Sequence, residues 1–237
     1  MSRTVPNSTL PSVIHGEGGL RIPAGMHDLE EFRRWSQSDQ FPERGRIDYL
    51  QGDVEVDMSP EELLSHGTPK TAIAIRLGEL VQEVRLGFVF IDRARLVSAA
   101  AGLSVEPDLV VVLEETLVAE RVRLVPSSRP GRYIEMEGAP DLVVEVVSDS
   151  SAAKDRKRLP KLYAQAGIPE LWLVDARRDD LRFEIWTLGI DGYTRVPPNA
   201  PGADGWTWSP VLGRRFRLRR GEVRERRLVY YQLESEA

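Results

Sequence analysis

The chain has 237 residues, 41% hydrophobic and 29% charged, with a net charge of −5 and no cysteine. That length suits one α/β domain with some decoration, or at most two small ones, and it is enough to bury a core. The composition excludes wholesale disorder, disulfides, thiolate metal sites and a cysteine nucleophile, and the acid excess argues against a constitutive, sequence-blind DNA binder.

In chain order, residues 1–22 are polar and marked by Gly and Pro, and read as a loose tail. The remainder, 23–237, reads as a single domain with a C-terminal β extension. HDLEEFRRWSQ (27–37) spaces Leu29, Phe32 and Trp35 three apart behind an Asp28/Glu31 capping pair, which predicts a short amphipathic helix. RIDYLQGDVEVDMS (46–59) predicts a hairpin around Gln51-Gly52-Asp53. Thr68-Pro69 opens the longest predicted helix, 68–86, with Ile73, Leu77, Leu80 and Val84 on one face. FVFIDRARLVS (88–98) predicts one or two strands, and VEPDLVVVL (105–113) a strand buried on both faces, since its apolar run does not alternate. Residues 115–138 read as an insertion with a loop near 126–132. PDLVVEVVS (140–148) is a second buried strand, followed by a helix ending near Gly167 and two strands in ELWLVDARRDDLRFEIWTLG (170–189). Trp206 and Trp208 share a face, which suggests core or dimer-interface packing before base stacking. No run of about 18 apolar residues is present, so no membrane-crossing helix is expected. MSRTVPNSTLPSV has no apolar signal core, which makes the cytoplasm the expected location.

Two stretches are basic, KDRKRLPK (154–161) and 214–227 with eight Arg and two Glu. Both are open to two readings, solvated faces or phosphate-contacting surface. The acids are more pointed. Asp108 enters one buried strand and Glu145 lies inside the other. An isolated buried carboxylate is expensive and needs a cation, a hydrogen-bond network or a metal. If the strands are neighbours, Asp108 and Glu145 converge on one hard divalent ion such as Mg²⁺ or Mn²⁺. The other readings are a buried ion pair with an arginine, or a strand that reaches solvent at Glu145. His15, His27 and His66 are too scattered for a local metal motif, and Ser148 and Ser150 have no GxSxG around them.

IDYLQGDVEVDMSPEE…SHG (47–67), VEPDLVVV (105–112), PDLVVEVVSDSS…KD (140–155), LYAQAGIPELWLVDAR (162–177) and SPVLGRRFRL (209–218) together resemble the putative restriction endonuclease family, a bacterial branch of the PD-(D/E)xK nuclease superfamily. The resemblance implies a restriction-endonuclease-like α/β fold with a mixed central sheet flanked by helices. It implies a Mg²⁺- or Mn²⁺-dependent endonuclease acting on DNA. Carried over residue by residue, Asp108 matches the first acid and Glu145 the second. Asp48, four residues before Gly52, stands where the family has Glu in its hairpin, giving Asp48, Asp108 and Glu145 as the metal set. Asp141 is then a strand-edge residue. Nucleases of this fold pair so that two sites address two strands, and a homodimer is expected by that analogy.

The lysine departs from the pattern. Two residues after Glu145 stands Val147, and four after Asp155 stands Leu159. Pro160 disfavours a helix interior, so 152–158 is expected as a loop reaching back from the Glu145 strand. Lys154 is the first candidate for the catalytic lysine and Lys157 the second. Removing Asp108 or Glu145 is expected to abolish activity and leave the fold intact. The misplaced lysine keeps a rival open, a catalytically silent nuclease-fold module that binds nucleic acid or a protein. A metal hydrolase with a non-nucleic substrate is a third reading.

Overall fold

The computed structural model describes residues 2–5, 14–15, 21–23, 26, 28–127, 129–198, 205–223 and 228–237. The elements run β1 (Ser2–Val5), β2 (Ile14–His15), β3 (Arg21–Ile22), α1 (Leu29–Ser36), β4 (Arg46–Leu50), β5 (Asp53–Asp57), a π-helical turn (Leu63–Gly67) and α2 (Thr68–Glu83). There follow β6 (Gly87–Ile91), β7 (Arg95–Ser98), β8 (Leu103–Val105), β9 (Leu109–Leu113), α3 (Glu114–Val118), β10 (Val122–Pro126), β11 (Tyr133–Gly138) and β12 (Leu142–Val146). A second π-helical turn (Lys154–Arg158) leads into α4 (Leu159–Ala166), then β13 (Glu170–Asp175), β14 (Arg182–Gly189), β15 (Gly192–Arg195), β16 (Thr207–Ser209), β17 (Arg214–Val223) and β18 (Leu228–Glu236).

The central sheet has the order β15-β14-β13-β12-β9-β6 and is mixed, with β12 parallel to β13 and antiparallel to β9. Both faces are covered. On one side α2 and the three-stranded sheet β16-β17-β18 pack on Leu109, Val111, Leu142, Val144 and Trp172. On the other, Val110, Val112, Val143 and Leu171 meet α4 and the sheet β1-β5-β4-β8-β7-β11-β10. That double cover is why β9 and β12 read as unbroken apolar runs.

Local chemistry sets the connections. Gln51 and Gly52 have φ of 52° and 98°, the two positive values that a tight β4–β5 turn matched to strand twist requires. Asp28 caps α1 by accepting from Glu31 N at 2.9 Å, and Phe32 and Trp35 bury against Ile47 and Tyr49. The buried face of α2 is Ile73, Leu77, Leu80 and Val81; Val84 lies past the helix end and is exposed. Glu170 pins the C-terminal extension to the core: Ser209 Oγ and Trp172 Nε1 each donate to its Oε1 at 2.6 Å.

Three expectations are corrected. Within the tail expected at 1–22 the described residues are paired: β1 antiparallel with β5, and β2 with β3. Residues 152–158 are helical, not a loop. Pro160 is accommodated because the turn before it widens, with Leu159 N reaching back five residues to Lys154 O. The face shared by Trp206 and Trp208 is not in the core, which leaves only its dimer-interface reading, as an expectation. Thr207 and Ser209 take the buried positions of β16, since Ser209 must reach Glu170, and Trp208 is 40% exposed. No helix among the described residues is long and apolar enough to cross a membrane.

Candidate active site

The two PDLVV segments form neighbouring antiparallel strands, with Val144 opposite Leu109 and Leu142 opposite Val111. The register sets Asp108 beside Glu145 at one end and Asp141 at the other. Val146 N donates to Asp108 Oδ2 at 2.7 Å, which locks the two acids' relative position. Asp141 has a different task. It accepts from Leu113 N and from Thr116 Oγ1, both at 2.7 Å, and so ties α3 to the end of β9.

Strand alternation brings in the third acid. Ile47 and Tyr49 of β4 face α1, so Arg46, Asp48 and Leu50 face the central sheet. Asp48 is 2% exposed; it accepts from Glu106 N at 3.2 Å and from Lys154 Nζ at 2.7 Å. Lys154 is therefore the lysine of the cluster, buried beside Asp155 on the π-helical turn. Lys157 is exposed on the same turn, and Lys161 is exposed on α4. Leu159, standing where the family pattern has lysine, is packed in the core against Leu162 and Tyr163. The bulge before Pro160 thus turns Lys154 and Asp155 inward together.

Four groups in the cluster were not assigned a role from sequence. Arg46 Nη2 donates to Asp108 Oδ1 at 2.7 Å, so the buried ion pair with an arginine is present. Its signal was the two-residue spacing to Asp48. Tyr163 donates to Glu145 Oε1 at 2.5 Å, and Ser151 donates to Asp155 Oδ2. Asp155, Leu159 and Tyr163 lie four residues apart, one helix face, which was the signal for two of these groups. Asp155 Oδ1 is buried without a hydrogen-bond partner.

His66 arrives from the other π-helical turn, which also precedes an X-Pro step, Thr68-Pro69. Its Nε2 lies 3.4 Å from Asp108 Oδ2, and its Nδ1 2.9 Å from Glu61 Oε1. The side chain of His15 lies outside the described residues, as does all of His27.

Charge in the cluster is unevenly held. Burial pushes the Asp108 carboxyl up, but Arg46 and His66 outweigh it and hold Asp108 well below the usual carboxylate range. Burial, then Asp108 and Asp155, push Glu145 well above it. Burial lifts Asp155 to about 6 despite Lys154 and Ser151. Burial works against the Lys154 ammonium, yet Asp48 beside it raises its pKa and keeps it charged. Burial likewise opposes His66 protonation, and Asp108 and Glu61 more than offset it.

Above the acids opens a cleft of about 940 Å³. Arg46 and His66 line it, while Asp108, with no exposed surface, lies beneath them. Its walls carry Asp57, Glu61, Glu62, Asp92 and Asp149, and the serines that follow β12. Ser150 donates to Asp57 at 2.7 Å and bridges the two sheets across the cleft.

In donor chemistry the cluster fits a hard divalent cation. It is oxygen-rich and holds more acid than base, and one buried carboxylate oxygen, Asp155 Oδ1, has no partner. In the arrangement described, Arg46 holds Asp108, and no three acidic or histidine side chains among the described residues converge on one point.

The basic stretches resolve differently. In 154–161, Lys154 pairs inward, Arg156 with Asp175 at 2.6 Å, and Arg158 with Asp53 and Glu55, so most of this charge is spent on the fold. On the outer face of β17, Arg215, Arg217 and Arg219 pair with Glu234 and Glu236 of β18.

The family model described as putative restriction endonuclease (Uma2) matches residues 29–219. The chain is also similar to the crystal structure of a putative nuclease belonging to DUF820 from Anabaena variabilis. The identity is 15%, over 78% of this chain and 90% of that one, with a TM-score of 0.55. At that identity the likeness speaks for the fold, which is restriction-endonuclease-like. Curated protein sequences give no match. With its mixed sheet, its two acids on adjacent strands and a family match spanning most of its length, this chain belongs to the putative restriction endonuclease family.

Proposed function

We propose that the chain is a metal-dependent endonuclease that hydrolyses DNA phosphodiester bonds, with Mg²⁺ or Mn²⁺ as its cofactor. The observation that carries this reading is the placement of Lys154 Nζ on Asp48, inside the Asp108–Glu145 cluster. It supplies an acid, acid and lysine set although the sequence lacks the lysine at its usual spacing. Asp108 and Glu145, with Asp48, would hold the ion. When bound, it supplies Lewis-acid activation of the scissile phosphate and of the attacking water.

The chain's own groups have distinct tasks. Tyr163 fixes the Glu145 carboxyl, and Val146 N–H and His66 fix that of Asp108. Lys154, held cationic by Asp48, stabilises negative charge on the phosphoryl group undergoing attack. The cleft above them is where the substrate strand enters.

The rival reading, a silent nuclease-fold module, draws on one observation: Asp108 is already neutralised by Arg46. A plasmid-nicking assay separates the two. Nicking by wild type with Mg²⁺ or Mn²⁺, absent in Glu145→Gln, is the expected result. No nicking by wild type in either metal at low salt would transfer the assignment to the silent module or to a non-nucleic substrate.

A further inference from the structure

We propose that Arg46 is an exchangeable counter-ion: it pairs with Asp108 Oδ1 and must leave before a divalent cation is held there. The inference rests on the metal-dependent reading above. Asp108 Oδ2 accepts from Val146 N at 2.7 Å and lies 3.4 Å from His66 Nε2, so it is crowded. Oδ1 carries Arg46 Nη2 at 2.7 Å. A carboxylate oxygen has room for a second partner, but a guanidinium and a dication on one oxygen repel strongly in a buried site.

The three partners of Asp108 differ in freedom to move. Val146 N–H is fixed by the β12 ladder, and His66 is tethered on its far nitrogen by Glu61. Arg46 stands at the first position of β4, its side chain 24% exposed and lining the cleft. His66 lines the same cleft but is tethered, whereas Arg46 has open volume to turn into. The walls there offer it new partners, since Asp57 and Glu106 line the same cleft. The buried pair also answers a problem that the empty cluster would pose. Without a cation on Asp108, two adjacent strands would bury uncompensated negative charge whenever metal is scarce. Arg46 lets the apoprotein fold, and the same contact weakens metal uptake.

The test is Mn²⁺ binding to the full chain, read by electron paramagnetic resonance of the free ion, in wild type, Arg46→Met and Arg93→Met. Arg93 lines the same cleft but bonds the Glu43 carbonyl, so it controls for the loss of one positive charge. Arg46→Met is expected to bind Mn²⁺ at least about tenfold tighter than wild type. Arg93→Met is expected to bind as wild type does, and Glu145→Gln added to Arg46→Met to lose the gain. Equal affinity in wild type and Arg46→Met overturns the proposal and leaves the metal site standing. Equal tightening in both arginine variants also overturns it, because general charge would then account for the effect. No Mn²⁺ binding by wild type or Arg46→Met removes the metal reading itself, and this inference with it. Should Arg46→Met fold only with metal, Arg46→Lys keeps the charge on a single-point donor and is expected to fall between the two; affinity equal to wild type there overturns the proposal.

Discussion

Glu145→Gln tests whether the buried acid of β12 is held toward its protonated form. Glu145 is 1% exposed, and burial together with Asp108 and Asp155 pushes its carboxyl well above the ordinary value, which favours the protonated form. Gln has nearly the same volume and retains an oxygen to accept from Tyr163. Below the folded-state pKa the exchange is neutral acid for neutral amide, and its effect on stability there should stay within about 1 kcal/mol. Asp108→Asn is the contrasting variant. Arg46 and His66 hold Asp108 in its charged form, so losing that charge removes charge-assisted contacts and should cost about 1.5–3 kcal/mol, with Arg46 free to turn to other acids of the cleft. A measurable loss of stability is therefore expected on removal of Asp108, where sequence alone suggests an intact fold.

The pH dependence follows with a definite sign. The folded-state pKa of Glu145 lies above its ordinary value of 4.5, so between those two values the native state binds more protons than the unfolded chain. Its contribution to stability is present below 4.5 and declines as pH rises through the folded pKa. Glu145→Gln lacks that decline. Urea unfolding of wild type and Glu145→Gln in EDTA from pH 5 to 9 measures it. A loss above about 3 kcal/mol in Glu145→Gln at pH 5, or a pH slope the same as that of wild type, would refute a raised Glu145 pKa.

Four further outcomes are expected. Lys154→Ala should lower Mg²⁺-dependent nicking by about 10²-fold or more, and Lys157→Ala should leave it near wild type, read by plasmid nicking at saturating metal. Asp141→Ala should cost about 2–3 kcal/mol in urea unfolding, because it strands Leu113 N–H and Thr116, while metal-binding stoichiometry stays unchanged. Glu170→Ala should cost about 2–4 kcal/mol and loosen the C-terminal sheet first, seen as faster hydrogen exchange in 207–218 than in β12. Arg177 and then Arg156 hold Asp175 below the ordinary carboxylate value of 3.8. Asp175→Asn should therefore destabilise by about 1–3 kcal/mol at pH 7, a difference that closes as pH falls below 3.8, measured by thermal unfolding across pH 2–7.

Sequence by itself determined most of the elements and singled out the two principal acids. The Gln51-Gly52 turn, the Asp28 cap and the unbroken valine runs each follow from local backbone chemistry or from burial on both faces. Asp108 and Glu145 stood out because a carboxylate amid β-branched residues demands a reason. What it left undecided was the answer to that demand. Arg46, Asp48 and Lys154 come from elements 62 and more residues away from their partners, and local spacing carries no information on such pairs. The lysine was the hardest case. Its position depends on a π-helical turn, which rotates the helix before Pro160 and presents Lys154 and Asp155 to the cluster while Leu159 goes to the core. Only the packing of one sheet against another decided which cation faces which acid, because desolvation of those acids arises only once both sheets have closed over them.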